Sequence, residues 1–526
     1  MKATISLFPV SFVSGARTDA RTRARRAAWV LLSFATAVRL VVAAFVPLAP
    51  DESYYWEWSR HLAAGYFDHP PVIAFFVRFG TALLGDTALG VRLGCVLAGA
   101  LASIVVVWIA GEMGGDRARL RAAAILACMP LTQIALGIAT PDAPLLLFWS
   151  LALAALVFAL RGASSTRTHT AAWALAGLAL GAALATKYTA ILALAGIGIA
   201  LVMQPTLRRM LATPGPYLAL AIALAVFAPN IVWNARHAWV SFDYQLAHGL
   251  TRSGGSSLAN ELRLLGGQIG LISPLLFALL AAAVYDALRA RGDALRTAFA
   301  IIAGVTWLAF AVSALRTAAE PNWQAPAYLS AIVLAASSDR VSARARDFFR
   351  AALALGAAMT MLIYVHTFHP FVPVDSGLDV TGAGYGWDSL AAHVAVARAD
   401  TSHGEWRRSA VTWIAGERYQ EASELAYHLP DHPLTFAINV LGRPNEFDLW
   451  PSFAQRAHVG DRLVLVLKSD SVPQRDRVTA ALSPHFEHVT LRDEVPLLRG
   501  SIVRGTRRIW VLDGWRGSWP RAELAR

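Results

Sequence analysis

Between residues 51 and 71 the chain reads DESYYWEWSRHLAAGYFDHPP, the densest collection of acids, aromatics and histidines in an otherwise apolar sequence. Asp51 and Glu52 open the segment, and Asp68 and His69 close it ahead of Pro70 and Pro71, which stiffen the backbone and fix its exit. A carboxylate held near a membrane surface could act as a general base. Tyr54, Tyr55, Trp56 and Trp58 suit the aromatic belt of an interfacial helix. That competing reading leaves four acids and two histidines in one short loop without a role.

A second candidate is Lys187, set between two apolar runs. An ionisable residue there is costly and is by default a functional hypothesis. The competing reading is a lysine at a helix end whose stem reaches the interface. Asp142, between Pro141 and Pro144, reads as a helix cap with donor or acceptor contact as an addition. Glu320 and Asn322 lie in another polar turn, beside a Trp323 suited to anchoring at an interface. Carboxylate plus imidazole is an ordinary ligand pair for a divalent cation, and Asp68 with His248 is the pair two loops could bring together.

These residues need a scaffold, and the composition says which. Of 526 residues, 56% are hydrophobic and 16% charged, against about 45–50% and about 25% in soluble domains. Apolar runs predict about eleven membrane helices, near 27–47, 88–110, 120–138, 144–160, 171–186, 188–204, 215–233, 260–287, 297–315, 324–337 and 349–368. The five arginines from Arg17 to Arg26 precede the first run, which reads as a membrane helix and not as a cleaved signal peptide. The net charge of +12 is gathered in short turns, such as Arg117, Arg119 and Arg121, or Arg208 and Arg209. This is the positive-inside pattern, not a nucleic-acid stripe. It puts the N-terminus in the cytoplasm and, with an odd helix count, the C-terminus outside. Cys95 and Cys128 lie in apolar runs and read as small buried hydrophobes.

Three segments then face outward: the first loop, 49–87; the segment 234–257; and the tail after His369. In the tail, 409–416, 433–440 and 461–469 read as strands and 417–429 as a helix, an alternation that predicts a small α/β domain. The chain divides into a membrane domain, 1–369, whose first outer loop carries the candidate chemistry, and an outer domain, 370–526.

The first loop, with Asp51-Glu52-x-Tyr54-Tyr55 and then GYFDHPP (65–71), resembles the signature of the protein O-mannosyltransferase-like superfamily of membrane glycosyltransferases, glycosyltransferase family 39. It most resembles the bacterial branch that includes aminoarabinose transferases acting on lipid A. ATPDAPLLLFW (139–149), GLALGAALATKYTAIL (177–192), EPNWQAPAYLS (320–330) and RYQEASELAYHLP (418–430) resemble further blocks of that branch in order.

The resemblance implies a GT-C type α-helical bundle with its site at the outer face, here of the bacterial inner membrane. It implies a polyprenyl-phosphate-linked sugar donor and inversion at the anomeric carbon. The acceptor would be a hydroxyl of a lipid A-like lipid, a glycan or a protein, as in lipopolysaccharide modification. Asp51 matches the family's essential acid, with Glu52 beside it. Lys187 is the cation for the leaving phosphate, because fixed charge stabilises it best in a partly dry site. Tyr54, Tyr55, Asp68, Asp142, Glu320 and Asn322 would line the substrate. Some relatives carry a basic residue where this chain has His69, which would be a pH-dependent cation there. SFDYQLAHGL (241–250) resembles the segment whose His lies near the site, hence His248 in the metal pair. Arg443, Pro444 and Asn445 form another family-like block, of domain structure or acceptor contact. A transporter or lipid-linked sugar flippase is the alternative. It predicts related halves and polar groups at helix midpoints, whereas the polar density here lies in loops.

Overall fold

The computed structural model describes residues 11–160, 166–250, 256–290, 292–338, 346–372, 374, 379–400, 411–439, 443–468 and 472–520. Its chain forms two compact units. One comprises Met1–Val42, Cys95–Val232 and Gln245–Leu362; the other comprises Ala43–Gly94, Trp233–Tyr244 and Ile363–Arg526. The boundary drawn at residue 370 therefore misses a feature of the chain. The first loop clusters with the tail, not with the membrane helices.

The first unit is helical. Each of the eleven apolar runs falls on helix, but not always as one straight rod. Among the described residues six helices are long and apolar enough to cross a membrane, or up to eight if each of two bent pairs is one span. The helix Ala88–Cys128 is interrupted at Gly115, whose φ of 75° only glycine adopts easily, so it carries two of the expected spans. The expected single span 260–287 is Ser257–Ile272 and Pro274–Arg289, bent by 103°. Ser273, at φ 78°, breaks it and caps the second half through its side chain. Hydropathy sees the apolar length and not the bend.

At the centre lies Ala325–Ala336, with every residue buried. A helix that is apolar all round can sit only inside such a bundle. The helix Thr166–Leu184 packs through Gly177 and Gly181, whose missing side chains admit the backbone of Ala219 and Ala223. A Cβ at either glycine would lie under 3 Å from that backbone, so small residues let the helices approach.

The tail of the second unit holds a five-stranded sheet in the order β2-β1-β3-β5-β4. The strands are β1 (Thr412–Gly416), β2 (Thr435–Ala437), β3 (Arg462–Lys468), β4 (His488–Arg499) and β5 (Ile502–Asp513). β1 runs parallel to β2 and β3, whereas β5 is antiparallel to β3 and β4. Alternation in β3 sends Val464 and Val466 to a core with Trp387 and Leu425, and Leu463, Leu465 and Leu467 to one with Phe453 and Phe486. The crossover from β1 to β2 is the helix Tyr419–His428. Within this unit that helix packs against Pro50–Arg60, the helix that opens the first loop.

Candidate active site

In the second unit, Pro50 starts the helix Pro50–Arg60 and puts Asp51 and Glu52 in its first turn, where negative charge is favoured by the free N–H groups. The two acids then diverge. Glu52 is buried. It accepts from Arg92 Nε at 2.7 Å and NH2 at 2.5 Å, and from the Ala49 N–H at 2.9 Å. Arg92 also donates to the carbonyls of Ala43, Val46 and Pro47. This pair fastens the start of the loop, so the catalytic role expected for Glu52 is corrected to a structural one: both its oxygens are occupied away from solvent. Arg92→Met is expected to cost about 3–5 kcal/mol, because it strands Glu52 as a buried charge. Thermal unfolding in detergent measures this, and Arg92→Met/Glu52→Gln should recover part of the loss.

Asp51, by contrast, is exposed. Tyr419 Oη donates to its Oδ1 at 3.0 Å, and no other described group hydrogen-bonds it. Its pKa is raised from the usual value, chiefly by removal of water by the surrounding walls, against the Tyr419 bond and Arg443, with Glu52 adding to the rise. The tip of this carboxylate thus stays open while its basicity is increased.

Asp68 is buried between two donors, Tyr54 Oη at 2.7 Å to Oδ2 and Arg443 NH2 at 2.9 Å to Oδ1. The Arg443 guanidinium also lies 4.6 Å over the Tyr244 ring. Tyr54 accepts in turn from the Glu446 N–H, and Glu446 accepts from the Phe67 N–H. Tyr54 and Tyr419 rings are 4.4 Å apart. Asp51, Tyr419, Tyr54, Asp68 and Arg443 therefore form one connected cluster. Tyr55 is buried and edge-on to Trp58, and half-buried His69 lies 6.3 Å from the Tyr55 ring. Both belong to the loop's packing. Only one member of the expected cation pair, Asp68, has a described side chain. Asp68's oxygens already serve Tyr54 and Arg443, the side chain of His248 lies outside the described residues, and the described residues contain no group of three His, Cys, Asp or Glu placed to hold a metal.

Burial raises several carboxyls of this unit: Asp68 to about 6, Glu57 and Glu424 to about 7, and Glu446 to about 8. Folding therefore favours their protonated forms. That contribution is complete below the unfolded values of 3.8 and 4.5 and is lost as pH rises through about 6 to 8. Asp379 runs the other way, its burial outweighed by Thr381, Arg504 and Arg499. The melting temperature should fall between about pH 5 and about pH 8, and fall less in Glu446→Gln. Identical slopes for the two proteins would remove Glu446 from this account.

In the first unit, Lys187 Nζ donates to Asp142 Oδ1 at 2.7 Å, and Asn322 Nδ2 donates to Oδ2 at 2.7 Å. Lys187 and Asp142 are both buried. Three distant segments meet: the start of Asp142–Leu160, the turn before Tyr188, and the 3-10 turn Pro321–Gln324. Asp142 is thus chiefly an ion-pair partner where a cap was expected, and Lys187 does not simply reach out to an interface. Glu320 is exposed and meets Arg263 at 3.5 Å. Gln268 donates to the Pro321 carbonyl and accepts from Tyr328 Oη, which fixes the turn.

Sequence reading passed over Arg92, Tyr419 and Glu446. Arg92 carried a usable signal, since it is a lone charge in an apolar run. Tyr419 lay inside the RYQEASELAYHLP block without distinction, and Glu446 follows the RPN block by one residue.

Residues 68–233 match the model of the family described as dolichyl-phosphate-mannose-protein mannosyltransferase. A lipid A galacturonosyltransferase of Rhizobium johnstonii is 30% identical over 288 residues, which cover 54% of this chain and 59% of that protein. An undecaprenyl phosphate-α-4-amino-4-deoxy-L-arabinose arabinosyl transferase of Pseudomonas paraeruginosa is 32% identical over 177 residues, covering 30% of this chain and 31% of that one. The matches thus span less than two thirds of these relatives. The crystal structure of ArnT from Cupriavidus metallidurans superposes with a TM-score of 0.61 at 18% identity, over 94% of this chain and 98% of that one, and the same protein has been solved bound to undecaprenyl phosphate. The chain is accordingly a multi-pass membrane protein with a GT-C type fold and a small C-terminal sheet domain.

Proposed function

We propose that this chain is an inverting glycosyltransferase that moves a sugar from a polyprenyl-phosphate carrier to a hydroxyl of a lipid A-like acceptor at the outer face of the bacterial inner membrane. The observation that carries the reading is the carboxylate of Asp51. It lies on the helix that opens the loop, is oriented by Tyr419, is raised in basicity by the walls around it and keeps an accessible surface. Asp68 and Glu52 have the same chemistry but are already engaged. The fold shared with ArnT and the sequence match to a lipid A galacturonosyltransferase support the donor and acceptor classes.

In the reaction, Asp51 takes the acceptor's hydroxyl proton as that oxygen bonds to the anomeric carbon. The carbon–oxygen bond to the phosphate breaks from the opposite face, and the carrier phosphate leaves as an anion. The sequence resemblance makes Lys187, held by Asp142 within the first unit, the cation for the carrier phosphate. A fixed positive charge in a dry setting stabilises charge that develops only in the transition state. The N-terminus is assigned to the cytoplasm and the C-terminus to the periplasm by the arginine distribution.

The test is mass spectrometry of membrane lipids from a host lacking this protein, with and without the wild-type chain. A sugar-linked polyprenyl phosphate should accumulate in the deletion, and a sugar-modified lipid should appear only with the protein. If neither lipid pool changes, the reading fails. If the carrier-linked sugar only changes membrane side, transport replaces transfer.

A further inference from the structure

The first unit also encloses a cavity of about 400 Å³, walled by the helices Ser11–Phe45, Ala88–Cys128 and Asp142–Leu160. Its volume falls within the roughly 300–1,000 Å³ of ligand pockets. The walls are apolar: Trp29 is about half exposed, and Trp108 and Phe158 stack with ring centres 4.9 Å apart. Its charged rim is Arg25, Glu112 and Arg119.

Position and charge narrow the occupant. Asp142 and Phe158 stand at opposite ends of one helix, 16 residues apart and so about 24 Å along its axis. The cavity therefore lies near the other end of the membrane span from the Asp142–Lys187 pair. That end is basic: Arg21, Arg23, Arg25 and Arg26 follow one another on the first helix. Arg119 folds across Gly111, where a Cβ would strike its guanidinium, and is held by Asp116 at 2.5 Å and Glu112 at 3.2 Å. Arg25 is thus the rim cation left for a ligand. A half-exposed tryptophan beside arginines marks a membrane–water interface, and basic pockets between membrane helices take anionic head groups.

We infer that this cavity is a binding site for an anionic phospholipid, with a hydrocarbon chain lying along Trp29, Trp108 and Phe158 and the phosphate at Arg25. It is separate from the donor and acceptor proposed above and does not depend on the transfer activity.

The experiment is native mass spectrometry of the full-length protein in detergent, supplied with equal amounts of phosphatidylglycerol, phosphatidylcholine and undecaprenyl phosphate. The wild type should retain phosphatidylglycerol in preference to the other two. Arg25→Gln, an exposed change, should cut that preference about fivefold, the loss of one arginine near a charged surface. Ala154→Phe, which fills the cavity from its wall, should remove the retained lipid while the thermal transition stays in place. Equal retention of phosphatidylglycerol and phosphatidylcholine, preference for undecaprenyl phosphate, or wild-type retention in both variants would overturn the assignment.

Discussion

Asp51→Asn is expected to lower sugar transfer by about 10²–10⁴-fold, the range over which a positioned general base contributes, with little change in thermal stability. The second half of that expectation rests on the geometry. Asp51 is exposed, and the hydroxyl of Tyr419 can still donate to the amide oxygen of an asparagine. What the substitution removes is the ability to take a proton. The same assignment fixes the pH dependence. Because the walls around Asp51 withdraw water from its accessible carboxyl and raise its pKa, the acid limb of kcat/KM should lie above the ordinary aspartate range. Activity should be present above that limb and lost as pH falls through it. Tyr419→Phe deletes a bond that lowers this pKa, so it should move the limb further up, a shift that a merely structural tyrosine would not produce. Purified protein assayed with its carrier-linked donor over a pH series measures all three. If Asp51→Asn keeps more than a tenth of the wild-type rate, the base is elsewhere.

Composition marked the acidic first loop but not how its acids would pair. Four acids in a 21-residue loop beside an apolar helix were a compositional signal that survived folding. Which acid stays accessible depends on partners far along the chain. Glu52 is committed by Arg92, 40 residues on, and Asp68 by Arg443, 375 residues on. No local spacing encodes either pair. Tyr419, which orients Asp51, sits 368 residues away on the helix of the tail, Tyr419–His428. Apolar runs were legible because burial in lipid or protein imposes them over whole helices. Their breaks were not, since the 103° bend turns on Ser273 adopting a positive φ before Pro274. The hairpin of β4 and β5 escaped for another reason. Most of β4 is exposed, and Arg492, Asp493 and Glu494 fall together in its middle, so its alternation is weak.

Lys187→Met should carry two separable penalties. Removing the ammonium leaves Asp142 buried with Asn322 as its remaining donor. Breaking a buried pair from one side costs about 3–5 kcal/mol, because the orphaned charge has no water to turn to. If Lys187 also stabilises the departing phosphate, turnover should drop by about 10²–10³-fold, the scale of deleting one electrostatic donor in a dry site. The single variant mixes these effects, and the paired variant Asp142→Leu/Lys187→Met separates them. Replacing both charges by apolar groups removes the orphan, so thermal stability should return most of the way to wild type. Transfer should stay depressed, because nothing restores a cation for the phosphate. Retention of undecaprenyl phosphate gives a readout independent of turnover and should weaken in both variants. Should the paired variant regain wild-type turnover together with its stability, Lys187 is an anchor that holds three segments of the bundle, and the phosphate must be met by another cation.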